Sequence, residues 1–262
     1  MFDEKRKGTG TQEWAEVTEN IQRGCVNNCL YCYAAANAKR FALRNREDWA
    51  REELTKRSEI TSYPARAGVI MFPSSHDITP FNVDAYIRVA RLILAKKNRL
   101  LIVTKPSLAC VDKIMRELDV YREQILFRFT IGATNEALTA LWEPGAPDPL
   151  ERLDALALAE ERGFARSISI EPMLAGVEET MRVVKNVAPW GPATIWIGKM
   201  NKIRLRVDDQ TPEILAAMRL VEDQQRDSEI LRLYEALPAA LYPTIRWKDS
   251  IKLVLAAAGV LS

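Results

Sequence analysis

Three of the four cysteines fall in one short stretch, Cys25-Val26-Asn27-Asn28-Cys29-Leu30-Tyr31-Cys32-Tyr33, spaced C-x3-C-x2-C. Thiolates are soft ligands, and soft sulfur selects zinc or iron–sulfur species. A structural zinc ion takes four protein ligands, usually Cys or His. The stretch supplies three. The only other candidates of those types are the single histidine, His76, and the remaining cysteine, Cys110. A [4Fe–4S] cluster held by three thiolates instead leaves one iron open, able to bind a small molecule and pass it an electron. Buried, unligated cysteines or a zinc knuckle are the plainer readings of the same residues.

The chain around this stretch has 262 residues, 48% hydrophobic and 27% charged. That suits one large α/β domain or two small ones, with a sizeable core. The formal net charge of +2 neither requires nor excludes a nucleic-acid partner, because a local basic groove can sit inside a balanced total. The cysteine clustering is unlike a secreted disulfide scaffold. The N-terminal MFDEKRKGTG has charges but no apolar core, so no signal peptide is expected. No segment reaches the roughly 18 apolar residues that span a membrane. A reducing, cytoplasmic setting is expected.

Pattern and punctuation place the elements that must position the cysteines. Residues 1–13 read as a loose polar arm, in which Lys5, Arg6 and Lys7 are either a solvated tail or a phosphate-contacting segment. Trp14 to Ile21 reads as a first strand leading into the cysteine loop. Tyr33 to Leu43 is Ala-rich and helical, and Asn45 to Glu59 is read as a further helix. Gly68–Phe72 is a short apolar run that reads as a buried strand, and Leu100–Val103, Ile125–Ile131, Arg166–Ile170 and Thr194–Ile197 read as the strands that follow. Helical stretches at Val83–Lys97, Leu108–Leu118, Asn135–Leu141, Leu150–Glu161 and Val177–Val187 lie between them. The rhythm of strand, polar loop and helix repeats about six times, which implies a parallel sheet with helices outside it. A partial barrel and a doubly wound sheet both fit the rhythm. The last part differs: Thr211-Pro212-Glu213 starts a long helical stretch to Leu237, broken near Asp223–Asp227, and Trp247 to Leu255 is a final helix or strand.

The cysteine motif, with Tyr31 as the aromatic before its last cysteine, resembles the signature of the radical S-adenosylmethionine (SAM) superfamily. The resemblance covers about residues 14–200 and implies a partial (β/α)6 TIM-like barrel with a mainly helical C-terminal extension. The expected organisation is an N-terminal arm at 1–13, the barrel at 14–206 and the extension at 207–262. It also implies that Cys25, Cys29 and Cys32 hold a [4Fe–4S] cluster whose open iron chelates SAM. One-electron reduction then yields methionine and a 5'-deoxyadenosyl radical that abstracts hydrogen from a substrate. A reductant such as flavodoxin or ferredoxin is implied as a partner.

Polar residues gather after the strands, where α/β folds place their sites. Tyr31 is a candidate to pack on the adenine or to shield the cluster, while Tyr33 is read as core. Where the superfamily commonly carries a Gly-Gly-Glu-like ribbon, this chain has Pro73-Ser74-Ser75-His76-Asp77. Ser74, Ser75 and Asp77 offer acceptors to an ammonium group. His76 is either a hydrogen-bonded loop residue or a substrate contact and proton donor. Thr104, Lys105, Thr130 and Glu171 end strands. Lys105 is a candidate for the SAM carboxylate or a substrate phosphate, Thr130 for the SAM ribose or carboxylate, and Glu171 for ribose hydroxyls or an amino group. Arg152 is expected in a salt bridge and Cys110 as a buried small hydrophobe. Lys199, Asn201, Lys202, Arg204 and Arg206 form a basic run that is either a phosphate site or a solvated edge.

Within the superfamily, Gly24-Cys25, Cys32-Tyr33-Ala34, Thr104-Lys105 and the Glu143-Pro144 segment before the Arg152 helix resemble the spore photoproduct lyase group. That group repairs a crosslinked thymine dimer in DNA with the help of a C-terminal cysteine, and no cysteine lies beyond Cys110 here. The leading expectation is a related enzyme acting on another nucleic acid or nucleotide. The alternatives are a radical SAM enzyme acting on a peptide or small metabolite, and a non-catalytic metal protein that binds nucleic acid.

Overall fold

The structure is a computed structural model that describes residue 2, residues 8–208 and residues 211–261. The Lys5–Lys7 segment lies outside the described residues.

In chain order the strands and helices are β1 (Val17–Thr18), β2 (Gln22–Arg23), α1 (Tyr33–Arg40), β3 (Glu53–Leu54), β4 (Val69–Met71), α2 (Val83–Leu94), β5 (Arg99–Thr104), α3 (Leu108–Glu117) and β6 (Ile125–Thr130). Then come α4 (Glu136–Trp142), α5 (Pro149–Glu161), β7 (Ala165–Ile170), α6 (Val177–Val187), β8 (Ile195–Ile197) and α7 (Ile203–Arg206). The chain finishes with α8 (Pro212–Gln224), α9 (Asp227–Ala236), β9 (Ile245–Trp247) and α10 (Asp249–Ala257). Seven strands form one sheet in the order β1-β4-β5-β6-β7-β8-β9, and every pairing in it is parallel.

The strands alternate between two environments because successive side chains point to opposite faces. Ile70, Leu100, Ile102, Phe127, Phe129, Ile168 and Ile195 face the helices and pack with Val89, Ile93, Ile114, Leu156 and Val183. The other face carries Val69, Met71, Leu101, Leu126 and Trp196, which cluster with Trp14. Polar residues occupy the upper part of that inner face, with Arg128 in register with Ser167 and Thr130 with Ser169.

The sheet is curled. Its edge strands are β1 and β9, yet the residues beside them meet: Lys248 Nζ lies 2.6 Å from Glu13 Oε1 and donates to the Gly10 carbonyl at 2.7 Å. This is the half-barrel of the expected partial TIM-like fold, with helices outside and a mainly helical C-terminal extension.

The helical stretch anticipated at 213–237 divides into α8 and α9 at the anticipated break. Thr211 accepts the Ile214 N–H and Pro212 stands in the first turn.

Three details correct the sequence reading. The expected first strand, 14–21, pairs only over Val17–Thr18, because Trp14 turns inward to fill the barrel. The expected helix at 45–59 is instead β3 followed by a 3-10 turn, Lys56–Glu59, since β3 supplies the antiparallel partner that β2 needs. Gly10–Glu13, read as part of a loose arm, is a 3-10 turn with Glu13 buried against Lys248. In addition, the extension contributes β9 as a seventh parallel strand beside β8. Among the described residues no helix is long and apolar enough to cross a membrane.

The cysteine loop has no regular structure of its own and is held by its neighbours. Leu30 N–H donates to the Trp142 carbonyl at 2.9 Å, and Gly145 N–H donates to the Asn27 carbonyl at 3.1 Å. Arg46 Nη2 donates to the carbonyls of Asn28 and Cys29 at 2.8 and 2.9 Å. Two glycines make these approaches possible. Gly24 has a φ of +76°, where L side chains are strained, and a Cβ there would stand 2.1 Å from the Arg51 carbonyl oxygen. A Cβ on Gly145 would stand 2.1 Å from the Val26 carbonyl oxygen. Neither neighbour is a flexible side chain, so relief requires moving the loop. Gly145→Ala is therefore expected to destabilise the fold by about 1–3 kcal/mol, the usual range for overpacking. A wild-type melting temperature would refute the contact.

Candidate functional site

Strand ends and the cysteine loop converge on a cavity of about 690 Å³. The residues read as cluster ligands or as cofactor and substrate contacts line it: Cys25, Cys29, Tyr31 and Cys32 from the loop, Ser74, Ser75, His76 and Asp77 after β4, Thr104 and Lys105 at the end of β5, Thr130 at the end of β6, and Glu171 after β7. The parallel topology explains the convergence. All main strands run the same way, so their C-terminal ends share one rim.

The thiols are buried in two cases and half-buried in the third. Burial, reinforced by the neighbouring Asp77 carboxylate, pushes the Cys25 thiol well above its ordinary value. Burial pushes Cys29 up to about 12, against the opposing pull of Lys105. Cys32 sits at the N-cap of α1, where its Sγ accepts the Ala35 N–H at 3.5 Å. Among the described residues no three His, Cys, Asp or Glu side chains converge tightly enough to hold a single metal ion. Cys110, as expected, is a buried apolar residue; it lies in the outer core with Val111 and Ile114, away from the loop.

Asp77 is engaged at both oxygens. Oδ2 accepts from Asn27 Nδ2 at 2.8 Å and from the Lys105 N–H at 3.0 Å. Oδ1 accepts from its neighbour's N–H, that of Ile78, at 2.7 Å, and from the Thr104 hydroxyl. A carboxylate offers about four lone-pair sites, and here all four are taken. Through these bonds Asp77 ties the cysteine loop to the end of β5.

His76, read as either a hydrogen-bonded loop residue or a substrate contact and proton donor, is hydrogen-bonded through both ring nitrogens. The Ile21 N–H can only donate, so the Nε2 it reaches at 3.2 Å is the acceptor. The Asp77 carbonyl can only accept, so Nδ1, at 2.9 Å, carries the proton. Backbone partners thus fix a neutral tautomer and leave no nitrogen for a substrate or a metal. Burial lowers the His76 pKa, partly offset by the Asp77 carbonyl and charge.

Ser74 is also occupied. Asn20 Nδ2 donates to its hydroxyl at 2.8 Å, and Asn20 Oδ1 accepts the N–H groups of Ser74 and Ser75 at 2.9 and 2.8 Å. The Tyr33 hydroxyl, exposed at the rim rather than in the core, donates to the Ser74 carbonyl. Ser75 keeps its hydroxyl free among the described residues.

A second buried carboxylate holds the other side of the loop. Glu143 accepts the Tyr31 hydroxyl, pairs with Arg152 Nη2 at 2.6 Å, and has Lys105 Nζ at 3.8 Å. The Glu143 and Arg152 side chains are fully buried, and Arg152 also donates to the carbonyls of Pro147 and Thr130, so the salt bridge expected for Arg152 is present. Burial alone would raise the Glu143 pKa, but Lys105 and Arg152 hold it below the usual carboxylate range. Burial alone would lower that of Lys105, but Cys29, Glu143 and Asp77 raise it. Lys105 is thus a cation that lies 5.7 Å over the Tyr31 ring and faces the thiols.

The sequence reading missed Glu13, Trp14, Asn27 and Lys248, which also line the cavity. Lys248 follows β9 directly, so a firm strand assignment there would have flagged it by the same rule that flagged Glu171. Lys248 Nζ stands 3.6 Å from Glu171 Oε2. Burial raises the Glu171 pKa, and Lys248 opposes this.

The lowered pKa has a definite pH signature. A histidine depressed in the fold contributes stability that is complete above its unfolded value of about 6.5 and is lost as pH falls below it. The chain has one histidine, so a proton NMR titration of the untagged, cluster-free protein reads it directly. The Cε1–H resonance is expected to titrate below about 6.5, with nitrogen shifts of the Nδ1–H tautomer. Titration at or above that value would overturn the assignment.

Comparisons with known proteins agree with this architecture. No family model matches the chain. An uncharacterized protein, ORF301, of Acidianus two-tailed virus is 28% identical over 169 residues, which is 59% of this chain. The chain therefore spans about half of that relative, 54% of its length. Spore photoproduct lyase complexed with dinucleoside spore photoproduct superposes with a TM-score of 0.55 at 14% identity, over 87% of this chain and 74% of the lyase. A double mutant of that lyase with bound AdoMet and dinucleoside spore photoproduct gives 0.55 at 15% identity, over 90% and 76%. At this identity the likeness speaks for the fold alone: the chain has a half-barrel that resembles that of spore photoproduct lyase.

Proposed function

We propose that this protein is a radical SAM enzyme, with a nucleic acid or nucleotide as the favoured substrate class. The observation that carries the reading is the placement of Cys25, Cys29 and Cys32 on one loop, facing a cavity at the strand ends of this fold. The donor set fits a [4Fe–4S] cluster. It offers three thiols and no fourth ligand, because both His76 nitrogens are engaged and Cys110 lies in the outer core. When bound, such a cluster supplies the electron that opens SAM to methionine and a 5'-deoxyadenosyl radical. An external one-electron reductant of the flavodoxin or ferredoxin type is part of this proposal.

The chain's own residues then position and shield. Lys105 places a buried cation beside Cys29, which favours the thiolate form and can receive a carboxylate. Ser75, Thr130 and Glu171 offer polar groups at the rim of the cavity for the amino group and ribose of the cofactor. Tyr31 is fixed by Glu143, so its ring is a rigid wall beside the thiols. A cavity of about 690 Å³ lies inside the small-molecule range of roughly 300–1,000 Å³. It has room for the cofactor and one nucleoside-sized unit, so a nucleic acid would present a single extruded unit.

The test is anaerobic reconstitution with iron and sulfide, followed by SAM and dithionite, with 5'-deoxyadenosine measured by mass spectrometry. About four irons and four sulfides per chain are expected for a cubane, together with 5'-deoxyadenosine. Cys29→Ala should abolish both. One zinc per chain without sulfide would refute the proposal.

A further inference from the structure

The basic run after β8 is the sequence feature that the proposed function leaves unused, and the structure divides its charges. Arg204 is bound to Glu222 through two contacts of 2.7 and 2.5 Å. Lys199 Nζ lies 3.4 Å from Asp227. Arg206 differs from both. It is half-buried, it lines the cavity, and among the described residues its guanidinium has no hydrogen bond and no ion pair. The Tyr33 ring lies 6.0 Å from the guanidinium carbon. Glu171, Cys32 and Tyr33 are near enough to offset part of the burial that lowers its pKa. A guanidinium offers five donors in a flat fork, and leaving them without an acceptor in a partly desolvated place is unfavourable. The fork matches one chemistry above others, a carboxylate or phosphate held through two parallel bonds. Lys202, four residues earlier on the same turn, lines the cavity at its exposed edge and adds a second positive charge.

We propose that Arg206, laid over Tyr33 beside Cys32, is an anion receiver of this cavity in addition to Lys105 and takes a carboxylate or phosphate of the molecule bound there, with Lys202 as an outer charge. Two sources share that chemistry: the carboxylate of SAM itself, or an anionic group on the substrate. The proposal rests on the radical SAM reading only for the first source.

The test is calorimetric binding to wild type, Arg206→Gln, Arg206→Lys and Arg204→Gln. The ligands are SAM and decarboxylated SAM with the anaerobically reconstituted protein, and inorganic pyrophosphate with the full chain. Arg206→Gln is expected to weaken the anion it serves about 10- to 100-fold, the effect of losing a charge-assisted pair. Arg206→Lys should fall between, since it keeps the charge and loses the fork. Arg204→Gln should bind like wild type. Weakened SAM with unchanged decarboxylated SAM assigns Arg206 to the cofactor carboxylate. Unchanged SAM with weakened pyrophosphate assigns it to a substrate anion. Unchanged binding of both ligands by an Arg206→Gln protein of wild-type melting temperature overturns the proposal. Failure of wild type to bind SAM sinks the radical SAM reading alone, and the pyrophosphate arm still decides this one. Failure of wild type to bind either ligand overturns both.

Discussion

An irregular loop that carries three thiols into the interior must be held by something other than its own backbone ladder, and here two buried carboxylates do it. Asp77 reaches the loop through Asn27, and Glu143 reaches it through Tyr31. Each is anchored on the barrel side, Asp77 by the end of β5 and Glu143 by Arg152 on α5. A buried charge without partners is strongly unfavourable, so each carboxylate enforces the position of its donors. Removing one partner of a buried pair such as Glu143–Arg152 typically costs about 3–5 kcal/mol. The loop is therefore coupled to the two elements on either side of the cavity, and its thiols are placed relative to the strand ends instead of floating on the surface.

The same two groups set the electrostatics of the cavity. Asp77 and Glu143 together place negative charge beside Cys25 and Cys29, which favours the protonated thiols. Lys105 works in the opposite direction from between them. Its backbone N–H is fixed by Asp77 and its ammonium faces Glu143.

Much of this was legible in the sequence, and the legible and illegible parts divide along physical lines. The βα rhythm led to the parallel sheet, because fully buried strands tend to be continuous apolar runs such as Leu100–Val103. The rule that sites follow strands brought Thr104, Thr130 and Glu171 to one rim without any knowledge of their partners. What could not be read was partnership. Nothing local distinguishes a histidine that serves a substrate from one clamped between the Ile21 N–H and the Asp77 carbonyl. Asp77 looked like a ligand group because its four donors come from residues distant in sequence or from the backbone. Short elements failed as well. β3 exists only as the partner of β2, and Asn45–Glu59 has helical composition with no long-range signal to override it. Glu13 and Lys248 lie at opposite ends of the chain, so their ion pair leaves no trace in any window.

That ion pair explains how seven parallel strands make a wall around a cavity without closing a barrel. The sheet ends at β1 and β9, and the gap between them is bridged by side chains and not by a ladder. Lys248 is held by Glu13, by the Gly10 carbonyl and at longer range by Glu171, while Lys252 adds a contact to Glu13 at 3.1 Å. Trp14 and Trp196 flank Lys248 at 4.3 and 5.9 Å, and Arg128 stands 4.8 and 5.0 Å from the same two rings. Stacked cations and indoles fill the floor with groups that are large and flat, where a closed barrel would use branched aliphatic side chains. Because Glu171 touches this assembly and lines the cavity, residues near both ends of the described chain take part in shaping it. The seam is thus a second wall of the site, built on charge, and its position relative to the cysteine loop is fixed by the parallel sheet that lies between them.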